Sequence, residues 1–161
     1  MIIYYPHEIK KGDKKIGKFQ DIFDEALVAL GISGTNYVKI VPEIKNGDVV
    51  LGTTSFDVDQ PIEILISRSA FHRFYINNKK SEEKTLKELI RTIRHEWRHK
   101  LQLLKLKKYL GSRKIVCDFV EKLQNSYSYF YNPLEMDARK YEYGETEYDL
   151  EQFILNMIKT H

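Results

Sequence analysis

From Lys84 to Leu110 the chain holds a helical period, and within that run stands His95-Glu96-Trp97-Arg98-His99. Apolar residues recur at Leu86, Leu89, Ile90, Ile93, Trp97, Leu101 and Leu104, the spacing of one helix face. Thr85-Leu86-Lys87-Glu88 reads as a capping box at its start. At about 100° per residue, His95 and His99 fall nearly opposite the apolar stripe, with Glu96 at the border. Lys87, Arg91, Arg94 and Arg98 occupy a third arc. Three such faces predict a helix that packs on a sheet, lines a cleft and meets solvent.

Residues four apart on a helix lie one turn above each other. Two imidazoles so placed reach a single tetrahedral ion at about 2.0–2.1 Å. The intervening glutamate projects beside the ion, where it can take a proton from a bound water. The alternative is a pair of surface histidines in a charged segment. Cys117 is the one cysteine, which excludes a disulfide framework, a CxxC redox pair and a Cys-based structural zinc site. It reads as a small buried hydrophobe. Any metal must therefore be held by His and carboxylates.

The rest of the chain predicts an α+β class with one small, mostly antiparallel sheet. Ile2–Tyr5, Tyr37–Ile44, Val49–Ser55 and Ile62–Ile66 read as strands, with a helix over Phe19–Leu30 stopped by Gly31. Asn46-Gly47 between two apolar runs predicts a hairpin, because a type I′ turn needs positive φ at both central residues. Pro61 fits the first residue of its strand or a sheet edge. Ser67–Glu83 has no clear period and reads as a long loop. Arg113–Tyr131, Pro133–Tyr143 and Thr146–Lys159 read as helices, with Gly111 and Gly144 as stops. Leu150, Phe153, Ile154, Met157 and Ile158 give the last of these a packing face, which outweighs a latch over the cleft.

With 161 residues, 42% hydrophobic and 30% charged, the chain is no disordered segment. One domain over 1–161 is predicted, with a helix-and-sheet half (1–66) and a helical half (84–161) that carries the metal site. Met1-Ile2-Ile3-Tyr4-Tyr5-Pro6-His7 lacks a basic region followed by an apolar one, and no stretch approaches 18 apolar residues. That predicts no membrane span and a cytoplasmic location. Twenty-six Lys and Arg against 23 Asp and Glu give +3, too little to imply nucleic acid. The clusters at Lys10, Lys11, Lys14, Lys15 and Lys18 and at Lys105, Lys107 and Lys108 leave an anionic partner as a secondary reading.

Downstream of the histidines, Gln102 and Lys105 exclude the metzincin continuation, and Cys117 lies on the wrong side for a deformylase. With His95-Glu96-Trp97-Arg98-His99 and Asn132-Pro133-Leu134-Glu135-Met136-Asp137-Ala138-Arg139, the chain resembles the gluzincins. These are zinc metallopeptidases in which HExxH is followed by a glutamate ligand on a later helix. Small single-domain members, the minigluzincins and compact phage or prokaryotic peptidases, look most similar. The resemblance covers about Leu89–Arg139 and implies a zincin-like fold. It implies one zinc per chain on His95, His99 and Glu135, with Glu96 as general base and a peptide or protein as substrate. Asn132-x-x-Glu135 is also a capping box, which alone would explain the tetrapeptide. Asp118, Glu121, Asp137 and Glu142 are the reserve ligands.

On this reading a zinc with an open fourth position lowers the pKa of water towards about 7. Glu96 takes the proton and delivers it to the leaving amine. The oxyanion partner is open among Tyr127, Tyr129, Tyr131, Tyr141, Tyr143 and His72, each of which also suits packing. A substrate strand adding to a sheet edge would meet Ile62–Ile66 first, then Val49–Ser55. The competing functions are a silent zincin-like module that binds an anionic or protein partner and a purely structural zinc. An intact Glu96 favours the peptidase.

Overall fold

The computed structural model describes residues 2–4, 37–41, 43–44, 50–56, 62–142 and 150–161. The strands are β1 (Ile2–Tyr4), β2 (Tyr37–Val41), β3 (Gly52–Ser55) and β4 (Glu63–Ser67). The helices are α1 (Arg68–Asn77), α2 (Glu82–Leu110), α3 (Arg113–Ser126), α4 (Pro133–Glu142) and α5 (Leu150–Thr160), with a 3-10 turn at Tyr129–Tyr131. Helices dominate, and the class is α+β. The predicted helix at 19–30 with its Gly31 stop, the Asn46-Gly47 turn, the Gly144 stop and the Lys10–Lys18 cluster lie outside the described residues.

The sheet corrects the predicted pairing. Its order is β1-β2-β4-β3, with β1–β2 and β2–β4 parallel and only β3–β4 antiparallel. It is a mixed sheet, not a mostly antiparallel one. β2 and β3 are not neighbours, so the expected hairpin is not the pairing. An Asn-Gly turn signal is local, while sheet order follows burial. The apolar run Ile64–Ile66 gains from a neighbour on each side, and Ile64 and Ile66 are fully buried in β4. β4 is thus closed to an added strand, and β3 is the edge next to it.

Ser67–Glu83 is no loop. The Ser67 hydroxyl accepts the Ala70 N–H at 3.2 Å and caps α1. The two buried residues of α1, Ala70 and Phe71, are adjacent in sequence, so they leave no helical stripe to read. Nor is Thr85 the cap of α2. The Ser81 hydroxyl accepts the Lys84 N–H at 3.2 Å, and Thr85 Oγ1 donates to the Ser81 carbonyl from inside the first turn. Glu82 and Glu83 there suit the positive helix end. At the other end Gly111 takes φ +90° and donates to the Lys107 carbonyl at 2.9 Å, the stop its position predicted. α3 ends at Ser126, short of the predicted Tyr131, and Ser112 caps its start by accepting the Ile115 N–H.

The chain divides into two compact units, Met1–Ser55 with Glu63–Ile93, and Phe56–Ile62 with Arg94–His161. In the first, Val38, Ile64, Ile66, Phe71, Leu89 and Ile93 are fully buried. In the second, Leu103, Leu106, Val116, Leu123, Leu134, Ile154 and Met157 form a core with Ile62. Leu150, Phe153 and Ile158 pack against it, so α5 uses the packing face its sequence predicted. Leu104, counted in the apolar stripe, is exposed. The buried face at this end of α2 instead follows Leu103 and Leu106, on the histidine side.

Candidate metal centre

The second unit supplies every side chain of the centre. α2 carries His95 and His99 one turn apart, and α4 brings Glu135 from its first turn, opened by Pro133. His95 Nε2 lies 3.0 Å from Glu135 Oε2, and His99 Nε2 lies 3.1 Å from Glu135 Oε1. The two Nε2 atoms are 3.1 Å apart. The predicted ligand set thus comes together from two helices. Ala138, one turn after Leu134, is fully buried, the small residue that lets α4 lie close.

The competing cap for Glu135 is not made by its carboxylate, which faces the imidazoles. Asn132 acts without it, its Oδ1 accepting the Leu134 N–H at 3.0 Å. Asp118 and Glu121 are exposed on α3, away from the cluster. The other two reserves, Glu142 and Asp137, serve the ligands from outside.

The outward nitrogens decide what the inner ones can do. His95 Nδ1 lies 2.9 Å from Glu142 Oε2, and His99 Nδ1 lies 2.8 Å from Gln102 Oε1. Both partners are acceptors, so each Nδ1 carries a proton and each Nε2 turns a lone pair inward. With both rings neutral, two lone pairs and a carboxylate converge with no donor among them. Such a cluster demands a positive species, either an extra proton or a cation. For an ion at about 2.0–2.1 Å with tetrahedral angles, ligand atoms stand about 3.3 Å apart. The two Nε2 atoms, 3.1 Å apart, come within a few tenths of that, and each lies 3.0–3.1 Å from a different oxygen of the Glu135 carboxylate. Nitrogen, nitrogen and carboxylate oxygen with hydrogen-bonded outer partners suit zinc.

The electrostatics agree. Burial works against a charge on His99, but the Glu135 carboxylate, the Glu96 charge and the Gln102 oxygen push its pKa up to about 9. Burial would raise the Glu135 carboxyl, yet hydrogen bonds and charge from His95 and His99 hold it well below the usual carboxylate range. Glu96 is 7% exposed, and its charge also acts on the Tyr129 hydroxyl.

Among the described tyrosines, Tyr129 is the one whose hydroxyl feels Glu135 and Glu96. Burial of its hydroxyl, then hydrogen bonding and repulsion from Glu135, push it up to about 12 against the opposing Arg139. Its ring stays open, the residue being 70% exposed. Tyr127 is engaged with His161 at 2.7 Å, Tyr141 lies under the Arg98 guanidinium, and Tyr131 packs on Phe130. Tyr143 lies outside the described residues, and His72 sits on α1 in the first unit.

Arg98 overturns its place on a solvent arc. It is buried and grips Asp137 twice, Nε to Oδ2 at 2.8 Å and Nη2 to Oδ1 at 3.1 Å. Gln102, fully buried, donates from Nε2 to Asp137 Oδ2 at 2.6 Å and to the Leu134 carbonyl at 3.0 Å. Sequence reasoning used Gln102 only to exclude a continuation. Its spacing, three after His99 and seven after His95, already set it on the histidine face. Cys117 is half-buried on α3 and takes no part.

No protein-family model matches this sequence, and no curated protein or solved structure matches it. The centre has to be read from its own chemistry.

Proposed function

We propose that the chain is a compact zinc-dependent peptidase of gluzincin-like, zincin-type architecture. The observation that carries this is the convergence of His95 Nε2, His99 Nε2 and the two Glu135 carboxylate oxygens at 3.0–3.1 Å, with both Nδ1 atoms turned to outer acceptors. A buried acid beside them supports chemistry over mere binding, since a resting cation site needs no Glu96.

His95, His99 and Glu135 would hold the ion. Zinc bound there supplies Lewis-acid activation of water at neutral pH. Glu96 accepts the proton that the attacking water loses and returns it to the amine as the C–N bond breaks. Tyr129, its hydroxyl kept protonated, offers a hydrogen bond to the carbonyl oxygen as negative charge grows there. Glu142 and Gln102 hold the two imidazoles in register. Peptides or proteins are the proposed substrates. Among the described residues no helix is long and apolar enough to cross a membrane.

The test combines metal analysis with peptide hydrolysis. Wild type is expected to bind one zinc per chain, and Glu135→Ala to lose most of it. Glu96→Gln is expected to keep zinc and lose about 10²–10⁴ of the hydrolysis rate. Unchanged zinc in Glu135→Ala moves the third ligand elsewhere. Full hydrolysis by Glu96→Gln removes the general base and, with it, the mechanism. Zinc uptake without turnover by wild type leaves the binding-module reading in its place.

A further inference from the structure

The two histidines are held from outside by unlike groups. His95 has a carboxylate, Glu142. His99 has a neutral amide, and an amide has two ends. If Gln102 turned over, its Nε2 hydrogens would face His99 Nδ1. The imidazole would then carry its proton on Nε2, where the ion must bind. Something must forbid that turn.

We propose that Gln102 is a positioning residue, fixed by a buried Arg98–Asp137–Gln102 relay, that holds His99 in its metal-binding tautomer. The inference rests on the metal reading above and deepens it. Each link is set by what its atoms can do. The Arg98 guanidinium only donates, and it orients the Asp137 carboxylate through both oxygens. Asp137 Oδ2 and the Leu134 carbonyl only accept, and both lie on Gln102 Nε2. The amide nitrogen is therefore committed, Oε1 faces His99, and Nδ1 must donate to it. The lone pair of Nε2 is left for the ion.

The relay runs from α2 to α4 and back. Asp137 and Leu134 belong to the helix that brings Glu135, so one docking of α4 delivers the third ligand and sets the tautomer of the second. A bare amide hydrogen-bonded to His99 would give the geometry without the direction. The buried carboxylate supplies the direction. Arg98 in turn pairs with that carboxylate at 2.8 Å and satisfies it, the condition for a charge at such depth.

The test uses zinc alone and the full chain. Long-range nitrogen–proton NMR of zinc-loaded wild type is expected to show His99 protonated at Nδ1 and coordinating through Nε2. By competition with a chromophoric chelator, Gln102→Met is expected to bind zinc about 10–100-fold more weakly. Gln102 is buried, so its metal-free melting curve is recorded as well. A purely structural role would lower that curve and leave the zinc affinity of the folded protein alone. Should Gln102→Met fail to fold, the wild-type spectrum decides. Nδ1 coordination by His99, or wild-type zinc affinity in a folded Gln102→Met, overturns the relay and leaves the metal centre standing. Wild type that takes up no zinc overturns both.

Discussion

Asp137 is 2% exposed and accepts from Arg98 Nε, Arg98 Nη2 and Gln102 Nε2. Deleting its carboxylate strands a buried guanidinium, and a charge left unpaired at that depth is expensive. Asp137→Ala is expected to lower stability by about 3–5 kcal/mol, read as a shift in the denaturant midpoint of the metal-free protein. An unchanged midpoint would mean that water reaches Arg98. The exposed Lys87–Glu83 pair, at 2.9 Å, is the contrast, since solvent replaces either partner there and Glu83→Ala leaves the midpoint nearly in place. Both pairs read alike in sequence, as charges on a helix. A helical wheel puts Arg98 on the solvent arc, since it knows spacing but not which neighbours arrive. α4 brings Asp137 from 39 positions away and makes that arc interior.

At the scale of elements, β3 depends on a missing side chain. A Cβ added at Gly52 would stand 2.7 Å from Thr92 Cγ2 on α2, with Ile66 Cδ1 at 3.2 Å. Thr92 cannot swing freely, because its hydroxyl donates to the Glu88 carbonyl at 2.8 Å. Gly52→Ala is expected to cost about 1–3 kcal/mol through this overpacking, checked by thermal and denaturant melts. Pairing Gly52→Ala with Thr92→Ser, which removes the obstructing methyl, is expected to restore most of the loss. The helices that carry the centre were legible in sequence, since α2 and α5 show a sustained period and α4 announces itself with Asn132-Pro133. His95, His99 and Glu135 were legible for the same reason. α1 was not, because its burial rests on the neighbours Ala70 and Phe71. Strand order was not either, since the Asn46-Gly47 signal says nothing of β4 lying between β2 and β3. The outer ring of the centre, Gln102, Asp137 and Glu142, was half-legible. Types and spacing were visible, but the direction of an amide follows only from partners far along the chain.

For the molecule as a whole, zinc at the proposed centre would tie metal, proton and stability together. Without an ion, His99 stays protonated up to about pH 9 against 6.5 for a free imidazole. Its folded pKa lies above its unfolded one, so the stabilisation it contributes is complete below about pH 6.5. That contribution is lost as the pH rises towards 9. Zinc must displace the same proton. Titration calorimetry at pH 7.5 in buffers of different ionisation enthalpy is expected to show release of about one proton per zinc, with apparent affinity rising from pH 6.5 to 9. Release of none would mean that His99 is already neutral. Among the described residues, the candidate ligands and the groups that hold their outer nitrogens lie between His95 and Glu142 on two helices. Substitutions outside that stretch act on the centre indirectly, through packing, so lineages descended from this chain are expected to vary more there. What they cannot exchange freely is a short script, His-Glu-x-Arg-His-x-x-Gln followed by Asn-Pro-x-Glu-x-Asp-Ala and then a glutamate four residues on. Distant kin of this chain are to be sought by that script, in which the glutamine and the aspartate weigh as much as the histidines.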